Sequence, residues 1–411
     1  MQRKSPGWAT LNKNVISSML LVLILITSVL TACSSSSDQT DSGNQTNTGR
    51  ILPAEQPELT QRAQSPISLE VSTRGTGPWG IALDEARGFV WVAQPGCDPK
   101  PPCASAFPTK ITKFALADGS YIQDFNEPAQ YSNPFFLAVN HSDGSVWFSE
   151  PNSDHIGELS PDDNRFQQWP TTTGSTPYDL LFDKNGNLWF TEYNSSSIGF
   201  MNTKTHKVVE TPTPTAGAEP YGITLDPKGN IWFAENAKGI ARIGTFTPTT
   251  DGNITITEYP IDSTLLSQPH LITAAPNGHI WISEGFLGNI TEFDPATGNV
   301  THYKVASTNN FTTSVPCRRP PDNCTHISGI AADKDGNIWF DDSLNASVGY
   351  FVPSKDHAYV QLLSDPNAHP HDGLAVQSNG TVWFTEQFGS GIKGDLVQGP
   401  ALVMWPSGTL K

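Results

Sequence analysis

From residue 65 onward the chain repeats one arrangement of apolar and polar positions. A proline and a large residue lead into a short apolar strand. A polar turn ending in glycine follows, and then Trp-Phe-x-Glu or a close variant. The clearest copy reads Glu219-Pro220-Tyr221-Gly222-Ile223-Thr224-Leu225-Asp226-Pro227-Lys228-Gly229-Asn230-Ile231-Trp232-Phe233-Ala234-Glu235. Alternation of Ile, Thr, Val and aromatics with period two marks strands, and Asp-Pro, Lys-Gly and Asn-Gly mark turns. Four strands are predicted in this copy, roughly over 222–225, 230–234, 240–244 and 254–259.

The anchoring tryptophans are Trp91, Trp147, Trp189, Trp232, Trp281, Trp339 and Trp383, seven copies spaced 42 to 58 residues apart. A four-stranded unit of this length cannot bury both faces alone, whereas radial stacking makes each unit a propeller blade. The expected fold is therefore all-β, a seven-bladed β-propeller with four-stranded blades over residues 65–411. Residues 67–72 and 401–405 compete to supply the outer strand of the last blade.

An in-register hairpin places Tyr221 opposite Glu235, at one rim of the axial channel. The same reading pairs Trp79 with Gln94, Phe136 with Glu150, Tyr178 with Glu192, His270 with Glu284, Ser328 with Asp342, and Asp372 with Glu386. One end of the channel is then ringed by aromatics on one side and by His, Ser and carboxylates on the other. Trp79, Phe136, Tyr178, Tyr221, His371 and Asp372 are candidate ligand-binding residues. His270 and His326 are candidate catalytic bases, because imidazole exchanges protons near neutral pH. Glu284, Asp342 and Glu386 are candidate ligands of a hard divalent cation, Mg²⁺ or Ca²⁺.

Composition narrows the function classes. With 34 Gly, 33 Pro and 11 Trp but only 16% charged residues, the chain suits many short strands and turns. A net charge of -16 argues against a nucleic-acid partner, since phosphates are gripped by basic stripes. No Gly-x-Ser-x-Gly, P-loop, His-Glu-x-x-His or dinucleotide fingerprint is present.

The N-terminus reads as an address. Arg3, Lys4 and Lys13 precede the apolar run 15–30, which is short for a membrane span. Leu30-Thr31-Ala32-Cys33 resembles the lipobox of bacterial lipoproteins, which implies lipidation at Cys33 and an exported protein anchored at the cell envelope. Residues 1–33 are thus expected to be the signal peptide, and the polar stretch 34–64 a flexible linker. Cys97 with Cys103, and Cys317 with Cys324, fall in Pro-rich insertions, and the simplest connectivity is a disulfide within each pair.

Two repeats carry a further likeness. Thr176-Pro177-Tyr178-Asp179…Gly186-Asn187-Leu188-Trp189-Phe190-Thr191-Glu192 and Gln268-Pro269-His270-Leu271…Ile280-Trp281-Ile282-Ser283-Glu284 resemble the virginiamycin B lyase (streptogramin lyase) family. The resemblance implies a seven-bladed propeller that opens cyclic depsipeptides by elimination, with a histidine base and a divalent cation held by glutamates. Gln268-Pro269-His270 matches the family's Pro-His. Where the next blade should carry Glu-Pro-His, this chain has His326-Ile327-Ser328, and the second Glu is Asp342. Three readings follow: a metal-dependent lyase of cyclic esters; a non-catalytic propeller binding a ligand or protein; and a calcium-dependent lactonase-like hydrolase. In each the partner is a small molecule or peptide at the rim, the membrane is met only through a lipid anchor, and the protein is a monomer.

Overall fold

The computed structural model describes residues 58–62, 71–72, 77–96, 109–128, 133–262, 267–305, 325–363, 368–387 and 401–405. Their strands form seven sheets, the blades of a β-propeller. Blade 1 comprises Ile81–Asp84, Phe89–Gln94, Lys110–Ala115 and Tyr121–Asn126. Blades 2, 3, 4 and 5 begin with the inner strands Leu137–Val139, Pro177–Phe182, Pro220–Leu225 and Ile272–Ala274, and run outward in chain order. Blade 6 begins at Ile327–Ala332 and blade 7 at Pro370–Val376.

The two segments that competed to close the ring both join blade 7. Ala401–Trp405 is its third strand, and Val71–Ser72 pairs antiparallel with it as the outer strand. Glu58–Arg62, which falls within the stretch read as linker, is instead a fifth strand of blade 6, parallel to His357–Leu362. It covers a sheet edge that would otherwise leave backbone groups unpaired. With one large apolar residue among polar neighbours, this strand carries little sequence signal. The Cys33 site, both cysteine pairs and the signal segment lie outside the described residues. Among the described residues no helix is long and apolar enough to cross a membrane.

Each Trp-Phe-x-Glu strand is the buried spine of its blade; Leu188–Glu192 and Ile231–Glu235 are buried at every residue. In blades 2, 3, 4 and 6 the phenylalanine sits opposite a glycine of the third strand, as in Phe190 with Gly199 and Phe233 with Gly244. A Cβ on Gly244 would stand 2.0 Å from the Phe233 ring, so only glycine admits it. In blade 5 the pair is Ile282 with Thr291, a smaller residue against a larger one. Five of the tryptophans are tied to their own turns, as where Trp189 Nε1 donates to Asp183 at 3.0 Å and Trp232 Nε1 to Asp226 at 3.1 Å.

In blades 3, 5 and 7 the Ser or Thr at x of the motif fastens the next blade. Thr191 Oγ1 donates to the Tyr221 carbonyl at 2.6 Å, Ser283 Oγ to that of Ser328 at 2.7 Å, and Thr385 Oγ1 to that of Trp79 at 2.8 Å. The last bond closes the ring between blades 7 and 1. These hydrogen bonds fix the backbone of the residues that face the axis.

Candidate functional site

The rim departs from the in-register reading. Glu235 pairs with Pro220, not Tyr221; Glu192 with Pro177; and Asp342 with Ile327. A bulge after the first residue of the inner strand shifts the register in blades 3, 4, 6 and 7, and one residue of slip turns a side chain to the other face. Tyr221 therefore faces the axis, while the motif glutamates turn into the blades. In blade 7 the bulge is wider: the ladder jumps from Pro370–Glu386 to Leu374–Phe384. His371, Asp372 and Gly373 occupy the bulge, and Asp372 takes a left-handed backbone with φ of 62°. A Cβ on Gly373 would lie 2.1 Å from both Thr385 Oγ1 and the Trp79 carbonyl, so glycine is required there.

Asp372 is the hub. Its Oδ2 accepts from Trp79 Nε1 at 3.0 Å and Tyr221 Oη at 2.7 Å, with His371 Nδ1 at 3.2 Å. His270 Nε2 lies 2.9 Å from Oδ1. Burial alone would raise this carboxyl, but the His371 and His270 charges and their hydrogen bonds outweigh it and hold it well below the usual range. Burial, and then the Asp372 charge, push the Tyr221 phenol well above its ordinary value, so it stays a donor.

His326 completes an imidazole cluster drawn from blades 5, 6 and 7. Its ring centroid is 5.2 Å from that of His270 and 5.1 Å from that of His371. Its Nδ1 is 3.1 Å from Ser343 Oγ. Burial, with the neighbouring imidazoles His371 and His270, drives it well below the ordinary histidine value. His369 stacks on His371 at 5.4 Å, and burial lowers it to about 4.

The aromatic half of the ring is present but packed on itself. Trp79 meets Phe135 at 4.3 Å, and Tyr178 meets Tyr221 at 4.4 Å. Phe136, Tyr178 and Tyr221 are all buried. Phe286 and Leu344 are exposed on loops after the second strands of blades 5 and 6, with Phe286 over His326 at 4.5 Å. Phe286 forms an apolar lip beside the cluster, and Leu344 directly follows Ser343, which touches His326.

Among the described residues, the carboxylates expected to hold a hard cation do not appear in a common metal-competent cluster. Glu284 accepts from Thr291 Oγ1 and from Asn289 Nδ2, and lies 2.8 Å from His302 Nδ1. Burial lowers His302, but the hydrogen bond and charge of Glu284 prevail and raise it. Asp342 accepts from Thr325 Oγ1, the His326 N–H and Asn345 Nδ2. Glu386 pairs through its backbone with Pro370 and Ala401. A magnesium or calcium ion of the kind the resemblance implies does not fit these positions. Ser328, where the family has its histidine, donates to Asp341 Oδ1 at 2.7 Å.

Residues outside the motif reading complete the site. Asn236, Ser343 and Gln387 each directly follow the motif acid, and each touches an imidazole: His270, His326 and His371 in turn. The register slip turns the acid inward and its successor to the rim, so the signal lay one residue further on.

The virginiamycin B lyase family model matches residues 103–318, more than half of the chain. The chain belongs to the virginiamycin B lyase family. The family match ends ahead of the blades that carry His326, His371 and Asp372. A solved virginiamycin B lyase from Staphylococcus aureus is 24% identical, with a TM-score of 0.64 over 82% of this chain and 98% of its own. A streptogramin B lyase structure is 25% identical, with a TM-score of 0.63 over 82% of this chain and 96% of its own. A catalytically inactive histidine-to-alanine variant of the Staphylococcus aureus virginiamycin B lyase, solved with quinupristin, is 25% identical, with a TM-score of 0.63 over 82% of this chain and 98% of its own. No curated protein matches the chain.

Proposed function

We propose that the protein opens cyclic ester (depsipeptide) ligands by elimination at the rim of blades 4 to 7, with His270 as the base and Asp372 as the residue that orients it. The observation that carries this reading is the 2.9 Å hydrogen bond between His270 Nε2 and the buried Asp372 carboxylate. A carboxylate-held imidazole has a fixed tautomer and direction, as proton abstraction requires. With Nε2–H donated to Asp372, the lone pair lies on Nδ1, which Asn236 approaches at 3.3 Å. An entering ligand displaces that amide. The imidazole takes a proton from the carbon next to the ester-bearing carbon, a carbon–carbon double bond forms, and the carboxylate leaves. The ring opens without addition of water.

Family membership and the likeness to lyase structures support the reaction class. The apolar lip of Phe286 suits a ligand with an apolar face. Ser328 lacks a base and is hydrogen-bonded to Asp341, so the imidazoles of the neighbouring blades take over that task. The lipobox-like Leu30-Thr31-Ala32-Cys33 supports an exported protein, lipid-anchored at the cell envelope and meeting its ligand there.

Ser328 also favours a second reading, a propeller that binds such ligands without turnover. His270→Ala separates the two. On the first reading it keeps ligand binding and fold but loses turnover; a folded His270→Ala protein that turns over a type B streptogramin as fast as the parent contradicts the assignment.

A further inference from the structure

We propose that His270, His326 and His371 form a binding site for a borderline divalent transition-metal ion of the Zn²⁺ or Co²⁺ class, not for Mg²⁺ or Ca²⁺. One ring nitrogen of each lies within 4.8 Å of the others. Their ring centroids stand 5.1, 5.2 and 5.7 Å apart. A centroid sits about 3.2 Å from a zinc bonded to that ring, so three imidazoles at tetrahedral angles have centroids about 5.3 Å apart. The cluster already stands at that spacing.

The donor chemistry selects the ion. Three imidazole nitrogens suit zinc, cobalt, nickel or copper, whereas magnesium and calcium take oxygen ligands. The surrounding groups suit it as well. Asp372 holds both His270 and His371, and Ser343 holds His326. An ionised carboxylate only accepts, so His270 Nε2 is the donor and the His270 lone pair lies on Nδ1, while His371 Nδ1 is shared between Asp372 and the Gln387 amide. Carboxylate-held imidazoles of this kind are the usual support of histidine metal sites. Three protein ligands leave a fourth position for water or a ligand atom. Asn236 stands against His270 Nδ1 and must swing aside, which makes its amide a gate and not a ligand.

A bound ion takes the lone pair of His270 on which the proposed elimination depends, so a zinc-loaded protein is silent in that reaction. The test itself reads binding. Chelator-treated, tag-free protein is titrated with Co²⁺ under visible spectroscopy and with Zn²⁺ by calorimetry. One equivalent is expected, with the intense bands of four-coordinate cobalt, displaced by Zn²⁺ and unaffected by Mg²⁺ or Ca²⁺. His326→Gln and His371→Gln should each weaken binding by about 100-fold or more, and Asp372→Asn by about 10- to 100-fold. Should these variants unfold, X-ray absorption on the zinc-loaded parent protein counts its ligands, with three imidazoles expected. Folded parent protein that binds neither ion, unchanged affinity in the folded histidine variants, or a shell of oxygen alone would overturn the proposal. None of these readouts involves turnover, so failure here leaves the elimination reading standing, and the reverse.

Discussion

At the scale of single residues the site turns on Asp372. Four donors converge on its carboxylate, and its left-handed backbone is the conformational cost of presenting it. Replacing it with Asn keeps the size but removes the charge and turns one of the two accepting oxygens into a donor, so the His270 tautomer is no longer fixed. Asp372→Asn should therefore lower turnover by about 10²- to 10⁴-fold while ligand binding changes little, measured as a kcat against KM split. Equal loss in kcat and in ligand affinity would place Asp372 in binding instead. The sequence singled out His270, His326, His371 and Asp372, and all four meet. It missed Asn236, Ser343 and Gln387, because the motif pattern points to the acid before each of them and the turn toward the imidazoles is set by the backbone. The register slip explains Asp342, and Glu284 is drawn to Thr291, Asn289 and His302 of its own blade. Their acidity was legible, but the face they take was not.

At the scale of the element, strand pairing is encoded by size matching. Phe233 over Gly244 and Phe190 over Gly199 are opposed pairs in which any Cβ collides with the ring. Gly244→Ala should destabilise by about 1–3 kcal/mol, read from the denaturant midpoint at unchanged m-value. A neutral effect would mean that the ring moves aside freely. The Trp-Phe-x-Glu spine and the turn signals made the inner and second strands legible. Outer strands read less well: that of blade 4 is Thr257–Pro260, shorter than the alternation over 254–259 suggested. Val71–Ser72 was legible as part of the stretch 67–72 expected to close the ring, whereas Glu58–Arg62 read as linker, because one large apolar residue among polar neighbours leaves no period-two pattern. Truncation gives a graded test. Removing residues up to 63 strips the added strand of blade 6 and should lower Tm modestly. Removing residues up to 73 also strips the strand that completes blade 7, and should lower Tm much further.

At the scale of the whole molecule, the ring buries carboxyl groups in several blades. Burial, and then neighbouring Glu258, raise Glu235 to about 9, and neither of its carboxyl oxygens has a hydrogen-bond partner among the described residues. Burial, and then Glu210, raise Glu192 to about 8. In the unfolded chain both ionise near 4.5, whereas the folded protein keeps them protonated up to 8 or 9. Between these values the native state binds more protons than the unfolded one, so stability falls as pH rises from about 4.5 to about 9. Tm should decline across that window, and Glu235→Gln should flatten the decline and raise Tm at pH 8. A Tm that climbs with pH over the same range would contradict these assignments. The seven-fold ring itself was legible from the tryptophan spacing, since each repeat can bury its faces only against neighbours. On the proposed function, the imidazole and aspartate cluster at one rim performs elimination on a cyclic ester. The most direct measurement is the mass of the product after incubation with a type B streptogramin. A linear product of unchanged mass is predicted; a gain of one water, or intact ligand after contact with folded protein, would contradict it.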